Sequence, residues 1–349
     1  MEINHPNMEY RRLGASGLKV SALGYGNWLT SDKPEFDERT KEMIKKCYEL
    51  GINFFDTAEF YGEGQGEIAM GKAFKELNLP REQLVVATKI FWGGKGVNDV
   101  GLSRKHVIEG TKKCLKKLQL DYVDILYCHR LDLDTPIEET CRAFDYIINS
   151  GMALYWGTSE WPADKIMDAF RICDKLGLHR PITEQPEYSV FPRERFEKEY
   201  YFLFRDFNFG CQIWSPLAGG ILTGKYLDGK PPGSRYDTDD PVIQENWEGY
   251  FPEGLKEHTI SAIKGLKELA DEIGCTLAQL CIAWTLYSPN CSTCLFGATQ
   301  TSQIEENIKA IEVYKKLTPE INERIDKIVG TAPAPIIDYR KYKPIKMTR

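Results

Sequence analysis

Three apolar runs carry near their ends residues that such runs seldom hold. INFFDTA (52–58) contains Asp56, LVVATKI (84–90) contains Lys89, VDILYCH (123–129) ends on His129, and Tyr61 follows Asp56 by five residues. An Asp, a Lys and a His set among apolar neighbours are unfavourable to bury unless they find partners. Together they could run acid catalysis from a phenol. A phenol titrates near ~10, too high to give up its proton readily at neutral pH, and a neighbouring ammonium favours the phenolate and lowers that value. Asp56 would hold the Lys89 ammonium in place. His129 would steer a carbonyl oxygen toward Tyr61 and share its charge as hydride arrives. Two plainer readings stand beside this one: Lys89 and Asp56 form only a buried ion pair, or His129 is a satisfied structural histidine.

These side chains can meet only if the ends of their strands share one mouth. Eight short β-branched or aromatic runs recur along the chain: 20–26, 52–58, 84–90, 123–129, 152–159, 182–188, 211–217 and 291–298. Amphipathic helical patterns separate them. From the second to the seventh, the runs start 32, 39, 29, 30 and 29 residues apart, about one βα unit each. They are apolar nearly throughout, as strands covered on both faces should be. Helix starts are marked by Ser103, by Thr135-Pro136-Ile137-Glu138 and Thr276-Leu-Ala-Gln279 as capping boxes, and by a third box, Ser302-Gln-Ile-Glu305. Gly51, Gly151 and Gly177 fall just past helix ends. An open doubly wound sheet would want G-x-G-x-x-G after the first strand, but GYGNWLTS (24–31) lacks the third glycine. The pattern therefore predicts an α/β fold, a (β/α)8 TIM barrel.

Additions to the eight units are also legible. YRRLG (10–14) and LKVSALG (18–24) predict an N-terminal β-hairpin plugging the barrel bottom. A segment rich in Gly, Pro and charge (218–256) forms a long loop after strand seven, beside the rim where phosphate sites form. EHTISAIKGLKELADEIG (257–274) and TPEINERIDKIVG (318–330) predict two extra helices. The whole chain, 1–349, reads as one domain, with a barrel core at about 9–332, a short polar N-terminus (1–8) and an extended tail (333–349).

Composition narrows the partners. Forty-five Lys and Arg against 51 Asp and Glu give a net charge of −6, which argues against nucleic acid or an anionic membrane surface. No stretch approaches the ~20 apolar residues of a bilayer span. The start, MEINHPNMEYRRLG, carries no apolar signal segment, so a reducing, cytoplasmic setting is expected. The ten cysteines are expected to be thiols. Cys291 and Cys294 lie three apart in a strand-like run, so they would point to opposite faces, and no metal site is expected. Cys128, next to His129, is the thiol whose oxidation would matter.

GINFFDTAEFYG (51–62), ATKI (87–90) and YVDILYCHR (122–130) resemble the aldo-keto reductases. FDTAEFYGEGQGE (55–67), TKIFWGGK (88–95), GLSRKHVIEG (101–110), LQLDYVD (118–124), TPIEET (135–140), YWGTSEW (155–161), EQPEY (184–188) and WSPLAGGILTGKY (214–226) are similar to the branch of voltage-gated potassium channel β subunits. The resemblance covers roughly residues 9–332. It implies bound NADPH or NADP+, reduction of aldehydes or ketones, and a homotetramer. Its catalytic four carry over to Asp56, Tyr61, Lys89 and His129. Its cofactor positions carry over to Asn27, Trp28, Asp56, Ser159, Gln185, Trp214, Ser215, Pro216, Leu217, Ala218, Gly219, Lys225, Arg235, Gly297, Thr299, Gln303, Glu306 and Asn307. Within that set Ser159 and Gln185 would meet the nicotinamide amide and Trp214 its ring. Residues 215–219, Lys225 and Arg235 would meet the phosphates, and the positions from Gly297 on the 2′-phosphate and adenine.

Departures from the branch matter. Its animal members commonly have asparagine at the place of His129, so this chain restores the general reductase pattern and favours turnover over sensing alone. Glu160 stands where they have an arginine. No basic residue occupies 299–303, which leaves Arg235 as the main charge for a 2′-phosphate and for the choice of NADPH over NADH. About nine residues precede the hairpin, too few for an inactivating N-terminal peptide. Trp28, Phe60, Phe91 and Trp92 are expected to crowd the mouth and favour aromatic or apolar carbonyls. Beside the reductase reading stand two others: a regulatory subunit on the cytoplasmic domain of a membrane channel, and a scaffold without turnover in a larger assembly.

Overall fold

In the computed structural model, which describes residue 5 and residues 7–28, 36–251 and 254–341, eight parallel strands close into a barrel. Strands β1 (Tyr10–Arg12) and β2 (Lys19–Ser21) form a separate antiparallel hairpin. The barrel runs through β3 (Leu23–Gly26), β4 (Phe54–Asp56), β5 (Val85–Ile90), β6 (Val123–Cys128), β7 (Ala153–Thr158), β8 (Thr183–Glu184), β9 (Gly210–Ile213) and β10 (Thr293–Phe296), with β10 pairing back onto β3. Each of the eight apolar runs thus supplies a barrel strand. The first run is divided between two elements. Val20 and Ser21 pair with β1, and the Asn53 side chain accepts from the Ser21 amide at 2.7 Å, so the barrel strand begins only at Leu23.

Alternation along the strands separates two apolar clusters. Phe54, Val85, Ala87, Ile125, Tyr127 and Leu295 pack with Leu13 and Val20 of the hairpin. Their neighbours Phe55, Val86, Leu126 and Cys128 pack in the larger cluster shared with the helices. The hairpin therefore fills the bottom of the barrel. Gly14 marks its closest approach: φ is +56°, and a Cβ there would lie 2.2 Å from the Gly210 amide nitrogen.

The helices are α1 (Phe36–Glu49), α2 (Gln65–Glu76), α3 (Arg104–Leu118), α4 (Ile137–Asn149), α5 (Ala163–Leu176), α6 (Tyr201–Phe207), α7 (Pro241–Tyr250), α8 (Lys256–Ile273), α9 (Leu277–Tyr287), α10 (Thr301–Asn307), α11 (Ala310–Tyr314) and α12 (Pro319–Val329). Helices α8 and α12 are the two expected extra ones, whereas α7 lies unexpectedly inside the long loop. Ser103 caps α3 by accepting from the His106 amide at 3.2 Å, and Thr276 with Gln279 forms the expected box. The other two boxes differ. Thr135 donates its hydroxyl to Asp132 at 2.7 Å instead of capping α4. Helix α10 starts at Thr301, so Ser302 lies within its first turn, and Gln300 with Gln303 makes the box. Gly51, Gly151 and Gly177 all take positive φ. Among the described residues no helix is long and apolar enough to cross a membrane.

Candidate active site

The inward face of the strands changes character toward their C-terminal ends. Above Phe54 stands Asp56, above Val85 and Ala87 stands Lys89, and above Ile125 and Tyr127 stands His129, each step being two residues. Parallel pairing of β4 with β5 and of β5 with β6 brings these ends together. Tyr61 comes from the turn after β4, whose Glu59 amide donates to the Lys89 carbonyl at 3.2 Å.

The Lys89 ammonium is the hub. It donates to Asp56 Oδ2, to the Thr57 carbonyl at 2.9 Å and to Tyr61 Oη at 3.0 Å. Gln185 Nε2 donates to the other Asp56 oxygen at 3.0 Å. All four candidate catalytic side chains are buried. Burial pulls the Lys89 ammonium down, but Asp56 and Tyr61 outweigh it and hold Lys89 above its ordinary value. For Tyr61 burial pushes the phenol up, and the opposing pull of Lys89 does not cancel it. The expected lowering of Tyr61 is thus one of two opposed effects and the weaker. Burial first, then the charges of Lys89 and Arg130, hold His129 well below the ordinary histidine value, so it is neutral at neutral pH. Its Nδ1 is buried with no hydrogen-bond partner among the described residues.

Aromatic rings close around Tyr61 and His129. Trp28 meets Tyr61 at 4.9 Å between centroids and Phe60 at 6.1 Å; Trp92 meets Phe60 at 5.7 Å and His129 at 4.9 Å; Tyr61 and His129 lie 6.0 Å apart. Phe91, also expected at the mouth, meets Trp92 edge-on at 4.8 Å between centroids and is half-buried against the core. Cys128 points to the opposite side of β6 from His129, and burial pushes its thiol up, so sequence adjacency does not put it in the site.

The expected cofactor residues are spread around the rim. The Asn27 side chain donates to the Gly66 carbonyl at 2.7 Å, tying β3 to α2. Ser159 Oγ donates to the Gln185 carbonyl at 2.9 Å. The Trp214 indole donates to Glu160 Oε1 at 3.1 Å, and the same carboxylate takes the Glu187 amide and Arg195. Sequence reading marked Glu160 only as a departure; here it fixes the Trp214 ring. Ser215, Ala218, Gly219 and Gly220 all have left-handed backbone. Their turn uses its own N–H groups: Ala218 donates to the Ser215 carbonyl, Gly219 to Ser215 Oγ and Gly220 to the Leu217 carbonyl. A Cβ on Gly219 would lie 2.0 Å from Tyr236 Oη, so that glycine makes room for the long loop. The loop is also tied down by Tyr250, which donates to Glu187 at 2.6 Å. Pro216 is buried and Leu217 half-buried.

At the far end Gly297 is exposed, while Gln303 folds back so that its Oε1 accepts from the Thr299 amide at 2.8 Å. Glu306 accepts the Thr276 hydroxyl at 2.9 Å, and Asn307 is buried. Lys225 and Arg235 lie over the rings of Tyr226 and Tyr236, and among the described residues neither has a carboxylate within salt-bridge distance. Two cations without such a partner in the segment after β9 fit a polyanionic cofactor. Among the described residues no group of three or more His, Cys, Asp or Glu is arranged to hold a metal ion.

Residues 22–329 match the model of the aldo/keto reductase family. The chain belongs to that family. A protein of Arabidopsis thaliana named as a probable voltage-gated potassium channel subunit beta is 47% identical over 333 residues, covering 95% of this chain and 100% of its own length. A rice protein (Oryza sativa subsp. japonica) of the same name is 45% identical with the same coverage. A Schizosaccharomyces pombe protein with a channel-subunit name of the same kind is 46% identical over 96% of this chain and 97% of its own length. The oxidoreductase reading of the sequence is thereby supported.

Proposed function

We propose that the protein is an NADPH-dependent reductase of aldehydes and ketones with Tyr61 as the proton donor. The observation that carries this reading is the buried Lys89 ammonium, which contacts Asp56 and Tyr61 together at the mouth of the barrel. Bound nicotinamide supplies the hydride. Trp214 would face its ring, Ser159 and Gln185 its amide, and Lys225 and Arg235 the phosphates; Gly297, Thr299, Gln303, Glu306 and Asn307 would line the adenosine end. Tyr61 keeps its proton because burial raises its pKa. When that proton leaves, Lys89 at 3.0 Å stabilises the phenolate. Asp56 and Gln185 fix the position of Lys89. Neutral His129 offers a hydrogen bond to the carbonyl oxygen without a second positive charge beside Lys89. The aromatic rings exclude water around the reacting atoms.

Incubation with NADPH or NADH and 4-nitrobenzaldehyde tests the reading. Cofactor oxidation, faster with NADPH, is expected. No oxidation with either cofactor contradicts it.

A second reading is favoured by the names of the relatives. In it the same barrel, as a cytoplasmic homotetramer, docks on the cytoplasmic domain of a voltage-gated potassium channel and reports the state of its cofactor. Native mass of the NADPH-loaded protein, with co-purification of such a channel domain, tests it; a monomer that binds no channel domain contradicts it. The scaffold reading is weaker, because all four catalytic residue types are retained.

A further inference from the structure

We propose that the mouth takes carbonyl compounds in which an aromatic ring carries an anionic group, with the Arg130 guanidinium as partner of the anion. This rests on the reductase reading above. Arg130 directly follows His129, and its guanidinium lies 5.6 Å from the centroid of the Trp92 ring. Nη1 donates to the His129 carbonyl at 2.6 Å and to Ser159 Oγ at 3.3 Å. Those two bonds engage one nitrogen of a group with five N–H donors. Arg130 is half-buried, and among the described residues no carboxylate lies within salt-bridge distance of it.

The nearby carboxylates are engaged elsewhere. Glu160 is held by Arg195, the Trp214 indole and the Glu187 amide, Glu187 by Tyr250, and Asp56 by Lys89 and Gln185. Lys225 and Arg235, which likewise have no carboxylate at salt-bridge distance among the described residues, belong to the segment after β9. A stacked guanidinium with no carboxylate at salt-bridge distance among the described residues, placed beside the proton donor, is suited to planar, bidentate recognition of a carboxylate. The surface that leads to it is aromatic, since Trp28 is 43% exposed and Phe60 44% exposed, and both belong to the ring circuit that includes Trp92. A planar ring against these faces, with its carbonyl at Tyr61 and its anion at Arg130, satisfies both features.

4-Carboxybenzaldehyde and benzaldehyde separate the anion from the ring, because a para carboxylate barely alters the electrophilicity of the carbonyl. With NADPH, the ratio of their kcat/KM values is expected to favour the carboxylate by about tenfold. That ratio should fall to about one in Arg130→Gln and lie between in Arg130→Lys. Independently of turnover, benzoate and benzamide are titrated into the NADP+-loaded protein with tryptophan fluorescence as readout. Benzoate should bind more tightly than benzamide, and the difference should vanish in Arg130→Gln. Equal ratios in the wild type, or a preference that survives Arg130→Gln, overturn the proposal. So does an Arg130→Gln variant that loses NADPH affinity while its benzoate affinity is unchanged, which would assign the guanidinium to the cofactor. If benzoate binds through Arg130 but neither aldehyde is reduced, the anion site stands and the reductase reading fails. If benzaldehyde is reduced with no preference for the anion, the reverse holds.

Discussion

The two ends of the barrel are built from the same inward-facing strand positions and do opposite things. At the bottom, Phe54, Val85, Ile125 and Leu295 close on Leu13 and Val20 of the hairpin. At the mouth, one or two alternations further along, the same strands present Asp56, Lys89 and His129. The bottom gains stability from apolar contact and makes no demand on protonation state. The mouth carries a buried charge pair whose desolvation must be offset by geometry and hydrogen bonds. Stability and chemistry thus sit roughly 7–13 Å apart along these strands, and substitutions should separate them.

The largest effect is expected at the hub. Lys89→Met leaves the Asp56 carboxylate buried with only the Gln185 amide, so it should destabilise the fold by about 3–5 kcal/mol and remove measurable carbonyl reduction. Chemical denaturation together with a cofactor-oxidation assay reads both. A variant of unchanged stability would show that the pair is not the buried contact described. Phe54→Ala at the bottom should have a stability cost of similar size, about 3–5 kcal/mol, with kcat within about twofold of wild type at a temperature where the variant is folded. A large loss of kcat there would erase the division between the two ends. His129→Asn should lower kcat about 100-fold, equivalent to about 2.7 kcal/mol, with a smaller change in KM. Because His129 is held neutral by burial and by the charges near it, the wild-type kcat should be flat across the ordinary histidine range near ~6.5. An inflection there that vanishes in His129→Asn would contradict the neutral assignment.

A further effect, on stability alone, comes from a third place, the outside of the barrel wall. Burial, with the charge of Glu160 adding to it, raises the Glu184 carboxyl from 4.5 to about 8. Between those values the folded chain binds more protons than the unfolded chain, so stability falls as pH rises through that window. Glu184→Gln should remove this part of the slope. Parallel Tm curves for wild type and variant from pH 5 to 8, a window taken from that shift, would show that Glu184 does not carry it.

The same comparison explains what sequence could convey. The barrel and the inward side chains at its mouth follow from short-range rules: apolar runs about thirty residues apart, and a period of two that turns Phe54 and Asp56, or Ala87 and Lys89, to one side. Strand lengths were less legible. The run 182–188 yields only Thr183–Glu184 as barrel strand, because Pro186 lacks the donor to continue a ladder. Helix α7 was hidden because PVIQENWEGY lies in a stretch dominated by Gly, Pro and charge. The contacts that shape the rim pair residues far apart in the chain. Glu160 with Trp214 spans 54 positions and Glu187 with Tyr250 spans 63. Nothing local in the sequence announces such pairs, nor that Arg130 has no salt-bridge partner among the described residues, which depends on where every nearby carboxylate goes. The net shift of the Tyr61 phenol was likewise invisible, since its sign depends on whether burial outweighs the pull of Lys89.

Carbonyl reduction at the mouth, as proposed, needs Tyr61 to give the proton. Its most direct test measures oxidation of NADPH by 4-nitrobenzaldehyde in wild type and in Tyr61→Phe, with NADPH affinity of both proteins determined alongside. Turnover by the wild type, none by Tyr61→Phe, and equal NADPH binding are expected. Equal turnover by the two proteins would contradict it.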